Sequence, residues 1–274
     1  MRIKSTSRKL TIIFIVKSLE AIRETSFKYL NEEEIVQINK LTVSYLLYYC
    51  LLVFFLFVAR STKYIKRLSL TERNSILISE GSKEVLIGIL LGDGHIARRS
   101  DTGNSRLVYA QTAQLHNEYF NYVFNIFRPF CTNDYTPYLK LFKDKRTNKE
   151  YSSLSFTTMQ LPCFNLYRDL FYYLDKKKVP DNIYKLLTDK GLAFWIMDDG
   201  SRQGQGLHIS VYGFSNDDVD KLLFVLEDKF KLNCSVHYNI ESKPRIYIFK
   251  ESMDILIRLV YPYFIKEMYY KLGL

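Results

Sequence analysis

The chain has 274 residues, 47% of them hydrophobic, enough apolar material for one large or two ordinary cores, which excludes a globally disordered chain. Lys and Arg number 39 against 29 Asp and Glu, a net charge of +10 that favours a polyanionic partner, nucleic acid or an anionic membrane. The four cysteines and four histidines lie scattered, with no CxxC pair and no zinc-ligand spacing, which argues against a disulfide framework, a structural zinc site and zinc catalysis.

The first 40 residues carry scattered charge around one short apolar run, LTIIFIV (10–16), too short to span a bilayer. Residues 41–59, LTVSYLLYYCLLVFFLFVA, are nineteen residues without a charge. As a helix rising about 1.5 Å per residue they reach roughly 28 Å, close to a bilayer core of about 30 Å. Arg60, Lys63, Lys66 and Arg67 follow directly, and Glu32, Glu33 and Glu34 precede, so a membrane helix here would keep the C-terminal bulk on the side of synthesis. Residues 1–80 are therefore read as an N-terminal extension with a candidate transmembrane helix at 41–59, and they stand apart from the chemistry.

From residue 84 onward, helix-period and strand-period segments alternate. KEVLIGILLG (83–92) suits a buried helix; HIARR (95–99) and SRLVYAQT (105–112) suit a hairpin. LHNEYFNYVFNIF (115–127) places Leu115, Tyr119, Tyr122, Val123 and Ile126 on one helical face. TPYLKLFK (136–143) and YSSLSFTT (151–158) form a second hairpin around a polar connection, and LPCFNLYRDLFYYL (161–174) is an amphipathic helix. The order then recurs. GLAFWIMDDG (191–200) is a buried helix, GLHISVYGFS (206–215) a strand, and NDDVDKLLFVLEDKF (216–230) a helix capped by Ser215 or Asn216. SVHYNI (235–240) and RIYIFK (245–250) make a hairpin, and ESMDILIRLVYPYF (251–264) a last helix. The spacing, 199 − 93 = 106, predicts an internal duplication with halves at 81–188 and 189–274.

Superposing the ends of the two apolar helices sets LIGILLGDG (86–94) over LAFWIMDDG (192–200), so Asp93 falls on Asp199 and Gly94 on Gly200. A helix C-terminus carries partial negative charge and repels a carboxylate. If the halves pack about a pseudo-twofold axis through these helices, with Gly88 and Gly92 admitting close approach, the two carboxylates come together. They then need a compensating cation, and hard oxygen donors suggest Mg2+.

At this point the sequence resembles the LAGLIDADG homing endonucleases, in particular the single-chain members with two motifs encoded in organelle introns. Leu86, Gly88, Asp93 and Gly94 carry the first motif, and Leu192, Ala193, Ile196, Asp199 and Gly200 the second; the resemblance covers 84–274. Phe194, beside Trp195, departs from the motif's glycine, which implies an asymmetric helix interface. The resemblance implies an α+β fold: two pseudo-symmetric αββαββα halves forming a saddle of antiparallel sheets laid along the DNA major groove. It implies site-specific, double-strand cleavage of DNA by a monomer using Mg2+ or Mn2+. It makes Asp93 and Asp199 metal ligands, with the carbonyls of Gly92 and Asp198 as further ligands. It also places a lysine near each site, assigned to Lys177 (with Lys178 beside it) and to Lys243. An intron-splicing maturase that binds the host intron RNA is the alternative, and a membrane-anchored binding protein a third reading. The abundance of Tyr, Phe, Ile, Asn and Lys, all with AT-rich codons, suggests an organelle genome, with the mitochondrion preferred over the plastid.

Strand alternation supplies the candidates for reading DNA. They are Arg98, Arg106 and Gln111 in the first hairpin and Lys140, Lys143, Lys145 and Arg146 in the second. In the second half they are Arg202, Gln203, Gln205, His208, Ser210, His237, Asn239 and Arg245. Arg and Lys match guanine edges, Gln and Asn match adenine edges, and all suit phosphates. Trp195 and Tyr122 read as packing groups.

Overall fold

A helix that is apolar on every side has to be buried on every side, and two such helices organise this protein. The computed structural model describes residues 68–143 and 148–274. A short helix α1 (Leu70–Ser75) with a capping box between Ser69 and Glu72 leads into α2 (Glu80–Leu91). Ser79 caps α2 by accepting from the backbone N–H of Ser82, and Val85 to Leu91 are all buried. Its counterpart α6 (Asp189–Asp199) is capped by Thr188, which accepts from Gly191 N, and buries Gly191 to Met197.

Each central helix is followed by a four-stranded antiparallel sheet. After α2 come β1 (His95–Ala97), β2 (Arg106–Thr112), α3 (Asn117–Phe127), β3 (Tyr138–Lys143), β4 (Glu150–Thr157) and α4 (Asn165–Phe171). The short strands β5 (Tyr172–Tyr173) and β6 (Lys176–Lys177) and the one-turn α5 (Ile183–Leu186) lead to α6. After α6 come β7 (Gly200–Gln203), β8 (Gly206–Ser210), α7 (Asn216–Phe224), β9 (Cys234–Tyr238), β10 (Pro244–Ile248) and α8 (Met253–Val260). The sheets run β1-β2-β4-β3 and β7-β8-β10-β9. The same strand order therefore occurs twice, as the recurring element order of the sequence predicts, and each half has the αββαββα order that the resemblance implies. Between β2, β4 and α3 lies an aromatic core of Tyr109, Phe120, Phe124, Phe127 and Phe156, with ring centroids 5.3–6.4 Å apart.

The central helices approach closely because one of them gives up its side chains where the other projects. A Cβ on Gly88 would lie 2.3 Å from the carbonyl oxygen of Gly191 and 2.8 Å from the Cβ of Phe194. One on Gly92 would lie 2.5 Å from the Cβ of Asp198. Positions 88 and 194 correspond in the repeat, as do 92 and 198, so each glycine of α2 stands opposite a larger residue at its own repeat position. Phe194 is thus accommodated by Gly88, and its ring lies against Tyr119 and Tyr122 at 6.2 and 5.6 Å. Trp195 is wholly buried.

Several predicted elements change. The helix expected over 161–174 ends at Phe171, and the chain turns into the hairpin β5–β6, because Leu174 and Asp175 adopt positive φ (43° and 63°). β7 continues directly from α6 with little apolar alternation, which hid it in the sequence. Leu115 precedes α3 and is exposed; the buried face of α3 is Tyr119, Phe120, Val123, Phe124 and Phe127. The segment 41–59 lies outside the described residues, and among the described residues no helix is long and apolar enough to cross a membrane.

Gly88→Ala tests the close approach. Alanine normally favours a helix by about 1 kcal/mol, but here the added methyl meets backbone, and overpacking of about 1–3 kcal/mol should prevail. Urea denaturation should show a lower midpoint, and a variant as stable as the parent would refute the packing.

Candidate active site

The last turn of a helix leaves carbonyls without internal partners and with partial negative charge. At the adjoining ends of α2 and α6 each set of carbonyls receives a buried ammonium. Lys177 Nζ donates to Gly92 O (2.7 Å) and Gly94 O (3.0 Å). Lys271 Nζ donates to Met197 O and to Asp198 O (2.9 Å).

Neither lysine is carried by the helix it serves. Lys177 closes the hairpin β5–β6, where it pairs with Tyr172 across a two-residue turn with positive φ at both positions. The Tyr172 hydroxyl accepts from Ile96 N at 3.0 Å, and the Arg168 guanidinium lies 4.1 Å from the Tyr172 ring while pairing with Asp175. Lys271 ends a 3-10 segment, Lys266–Lys271, that docks through two further contacts. The Glu267 carboxylate accepts from Glu118 N (3.2 Å) and Tyr119 N (2.7 Å), capping α3. The Tyr270 hydroxyl lies 3.2 Å from His116 Nε2.

Three carboxylates share this place. Asp198 turns its side chain inward. Its Oδ1 accepts from the hydroxyls of Tyr109 and Tyr119, both at 2.8 Å, and its Oδ2 accepts from Asp93 N at 3.0 Å. Burial, then the charge of Asp93, holds its pKa well above the carboxylate range. Asp93 reaches the rim of the cleft, and Gln111 Nε2 donates to its Oδ2 at 2.6 Å. Burial raises its pKa, opposed by the Gln111 bond and then by Lys271 and Lys177. Asp199 is pushed up to about 7 by burial and by the charge of Asp93, against Lys177 and Lys271. Lys177 is lowered to about 8 by burial, against Asp199, Asp198 and Asp93. Burial lowers Lys271 as well. A cavity of about 180 Å³ beside Asp199 and Lys177 is lined by Leu91, Gly92 and the segment Ser210 to Phe214.

The structure brings Asp93, Asp199 and Lys177 together and corrects other expectations. Lys243 stands in the β9–β10 turn, paired with Glu241 at 2.6 Å, and Lys271 takes its place at α6. The carbonyls of Gly92 and Asp198 accept from the Lys177 and Lys271 ammonium groups. Gln111 is not on the open sheet face: it lies an odd number of residues from Arg106, points into the core side and binds Asp93. Arg98 is committed to Ser105, Asn165 and Asp169. Arg202, on the core side of β7, donates to Gly204 O and Leu272 O. Asn239 folds its own turn, accepting from the N–H groups of Glu241 and Lys243. Lys143 falls on the opposite face of β3 from Lys140, by the register with β4.

The register leaves Arg106 and Lys140 on the open face of the first sheet. On the open face of the second it leaves Gln203, His208, Ser210, His237 and Arg245, with Tyr247 among them. Gln205 is exposed in the β7–β8 turn. Lys145 and Arg146 lie outside the described residues. Sequence reasoning missed Tyr109, Tyr119, His116, Tyr270 and Lys271. A signal for the last existed: Lys177 follows α4, whose counterpart in the repeat is α8, and the repeat therefore points to a lysine after α8, not one in a β-turn.

Comparison with known proteins adds to this geometry. The model of the LAGLIDADG DNA endonuclease family matches residues 83–256. The cytochrome b mRNA maturase bI2 of Debaryomyces hansenii is 30% identical over 193 residues, covering 69% of this chain and 72% of that protein. The intron-encoded endonuclease ai4 of Dictyostelium discoideum is 37% identical over 148 residues, covering 53% of this chain and 93% of that protein. The structure of the homing endonuclease I-WcaI bound to its DNA recognition sequence superposes with a TM-score of 0.69 at 26% identity, covering 76% of this chain and 95% of that one.

The charge balance predicts how the site titrates in the protein without added metal. Asp199, like Asp93 and Asp198, holds its proton more tightly folded than unfolded. Between its ordinary 3.8 and about 7 the native state therefore binds more protons, and stability should fall as pH rises through this window. Urea denaturation at stepped pH should show this fall for the parent and a shallower one for Asp199→Asn.

Proposed function

The chain belongs to the LAGLIDADG DNA endonuclease family, and on that premise we propose that it is a site-specific homing endonuclease that hydrolyses both strands of a DNA target. One observation carries the reading: two carboxylates stand at adjacent helix ends beside two buried lysines. In each strand, water oxygen bonds to phosphorus, the P–O3′ bond breaks and the O3′ takes up a proton, leaving a 5′-phosphate and a 3′-hydroxyl.

The donor set fits a small divalent cation, Mg2+ or Mn2+. Asp93 and Asp199 offer hard oxygens, and burial together with mutual repulsion makes their shared negative charge costly without a cation. Among the described residues no group of three or more His, Cys, Asp or Glu is placed to hold a metal ion, and Asp198 spends its oxygens on two tyrosine hydroxyls and Asp93 N. Two carboxylates with the rest of the shell left to water and phosphate is how Mg2+ is usually held at phosphates. Bound there, the cation supplies Lewis-acid charge at the scissile phosphate and promotes ionisation of water. Lys177, with its pKa near 8, is largely cationic at neutral pH and offsets charge that builds on the phosphate oxygens. Lys271 does the same from the other helix end. Asp198 and its two tyrosines hold the helix ends in register. The open sheet faces, with Arg106, Lys140, Gln203, His208, His237 and Arg245, contact the duplex.

An intron-splicing role is the second reading, favoured by the likeness to a cytochrome b mRNA maturase. That likeness, with a composition rich in residues of AT-rich codons, supports a mitochondrial intron as the source. Splicing of the host intron RNA with and without the protein separates the two readings.

Duplex DNA carrying the joined exons is the substrate to try. Asp93→Asn and Asp199→Asn should each abolish cutting while DNA binding persists in a mobility-shift assay. If both cut like the parent, the metal assignment is wrong. Lys271→Met should slow cutting by about 10²–10³, as loss of a transition-state charge stabiliser does. Lys243→Met should stay within a few-fold of the parent, and the reverse ranking would restore Lys243 to the site.

A further inference from the structure

The two carboxylates are not held alike. Strand register aligns the halves residue by residue: Ile96 pairs with Leu107 in the first sheet and Arg202 with Leu207 in the second. Leu107 thus corresponds to Leu207, and four residues further Gln111 corresponds to Val211. A second point agrees: Gln111 pairs with Leu154, and Val211 N donates to Pro244 O, so both stand opposite matched positions of the neighbouring strand.

In the first half an amide therefore reaches the acid. Gln111 Nε2 donates to Asp93 Oδ2 at 2.6 Å, and Gln111 Oε1 accepts from His116 Nδ1 at 3.1 Å. His116 is in turn braced by Tyr270. His116 occupies the N-cap position of α3 yet makes no capping bond, and Glu267 from the C-terminal segment caps that helix instead. In the second half the corresponding N-cap, Ser215, caps its own helix through Asp218 N. Val211 is buried and lines the cavity beside Asp199. Among the described residues no side chain donates a hydrogen bond to the Asp199 carboxylate.

We propose that this exchange of an amide for an isopropyl group makes the two half-sites unequal, so that the strand served by Asp93 is cut first and the one served by Asp199 second. Gln111 is a positioning residue: it fixes the Asp93 carboxylate before substrate arrives, whereas Asp199 must be ordered during the reaction, and pre-set geometry lowers the barrier. A nicked duplex accumulates between the two steps. The inference rests on the endonuclease reading, and each step is the hydrolysis given above.

The test uses the full chain and a supercoiled plasmid carrying the target, with nicks assigned to each strand by primer extension. The parent should build up open circle, with one strand nicked about tenfold faster, the scale of one hydrogen bond. Val211→Gln should bring the two rates together by raising the slower one. Gln111→Val should bring them together by lowering the faster one, which keeps the test intact should the buried glutamine fail to fold. Side-chain amide NMR of ¹⁵N-glutamine-labelled protein without metal or DNA gives an independent readout. Exchange of the Gln111 amide should be slowed in the parent, and Val211→Gln should add a second protected amide. Equal strand rates in the parent, or a strand ratio unmoved by both variants, overturn this inference alone. No cutting of either strand overturns the endonuclease reading and this inference with it.

Discussion

Two helices stand side by side at backbone distance only where one of them lacks side chains, and the site depends on that constraint. Gly88 admits the backbone of Gly191 and the Cβ of Phe194, and Gly92 admits Asp198. Interiors are packed like crystals, so such a fit has little slack. Because corresponding positions face each other across the pseudo-twofold axis, a glycine in one copy licenses a large residue in the other. A single chain can thereby break the symmetry of its own repeat, which two identical subunits cannot do. Asp198 uses this licence: opposite a glycine, its carboxylate crosses to the other helix and accepts the N–H of Asp93. The register of the helix ends is fixed by this bond and by the hydroxyls of Tyr109 and Tyr119.

Bringing the helix ends together concentrates negative charge, from the terminal carbonyls and from three aspartates. Burial alone would keep the acids protonated. The two lysines answer that charge, and each arrives from a segment that follows one of two matched helices of the repeat, α4 and α8. Their segments are tied down far from the lysine itself. The β5–β6 hairpin is held by Tyr172, Arg168 and Asp175; the C-terminal segment is held by Glu267 on α3 and Tyr270 on His116. Removing a charge from water is costly, and these lysines avoid that cost by donating to carbonyls that otherwise lack partners. The C-terminal segment also braces Asp93 through His116 and Gln111, so the second half contributes to the order of the first.

The open faces of the two sheets also differ. The second carries a joined cluster: His208 Nε2 lies 3.2 Å from His237 Nδ1, Tyr247 stacks on His237 at 4.8 Å, and Arg245 reaches the Tyr212 hydroxyl. The first presents shorter side chains along its central strands, Val108, Ala110 and Thr112 on β2 beside Ser153, Ser155 and Thr157 on β4. Faces so unlike suit a target whose two halves differ in sequence, in keeping with a chain that has given up strict symmetry at its centre.

The sequence by itself determined the duplication, its 106-residue spacing between Asp93 and Asp199, the order of the main helices and hairpins apart from β5, β6 and β7, and the meeting of two carboxylates at helix ends. These follow from local rules: apolar runs of helical length, strand alternation, and glycines where helices cross. Lys177 is singled out only through the family resemblance, as one of the lysine block ahead of Pro180. Tertiary structure alone decided the partners. Gln111 reads as a groove residue until the register turns it inward, and Arg98, Arg202 and Asn239 read as DNA contacts until their intramolecular partners appear. Lys271 meets α6 only because Glu267 and Tyr270 anchor its segment on α3. Hydrogen-bond partners far apart in the chain carry no periodic signature, since nothing about one partner's neighbours constrains the other's until both are packed.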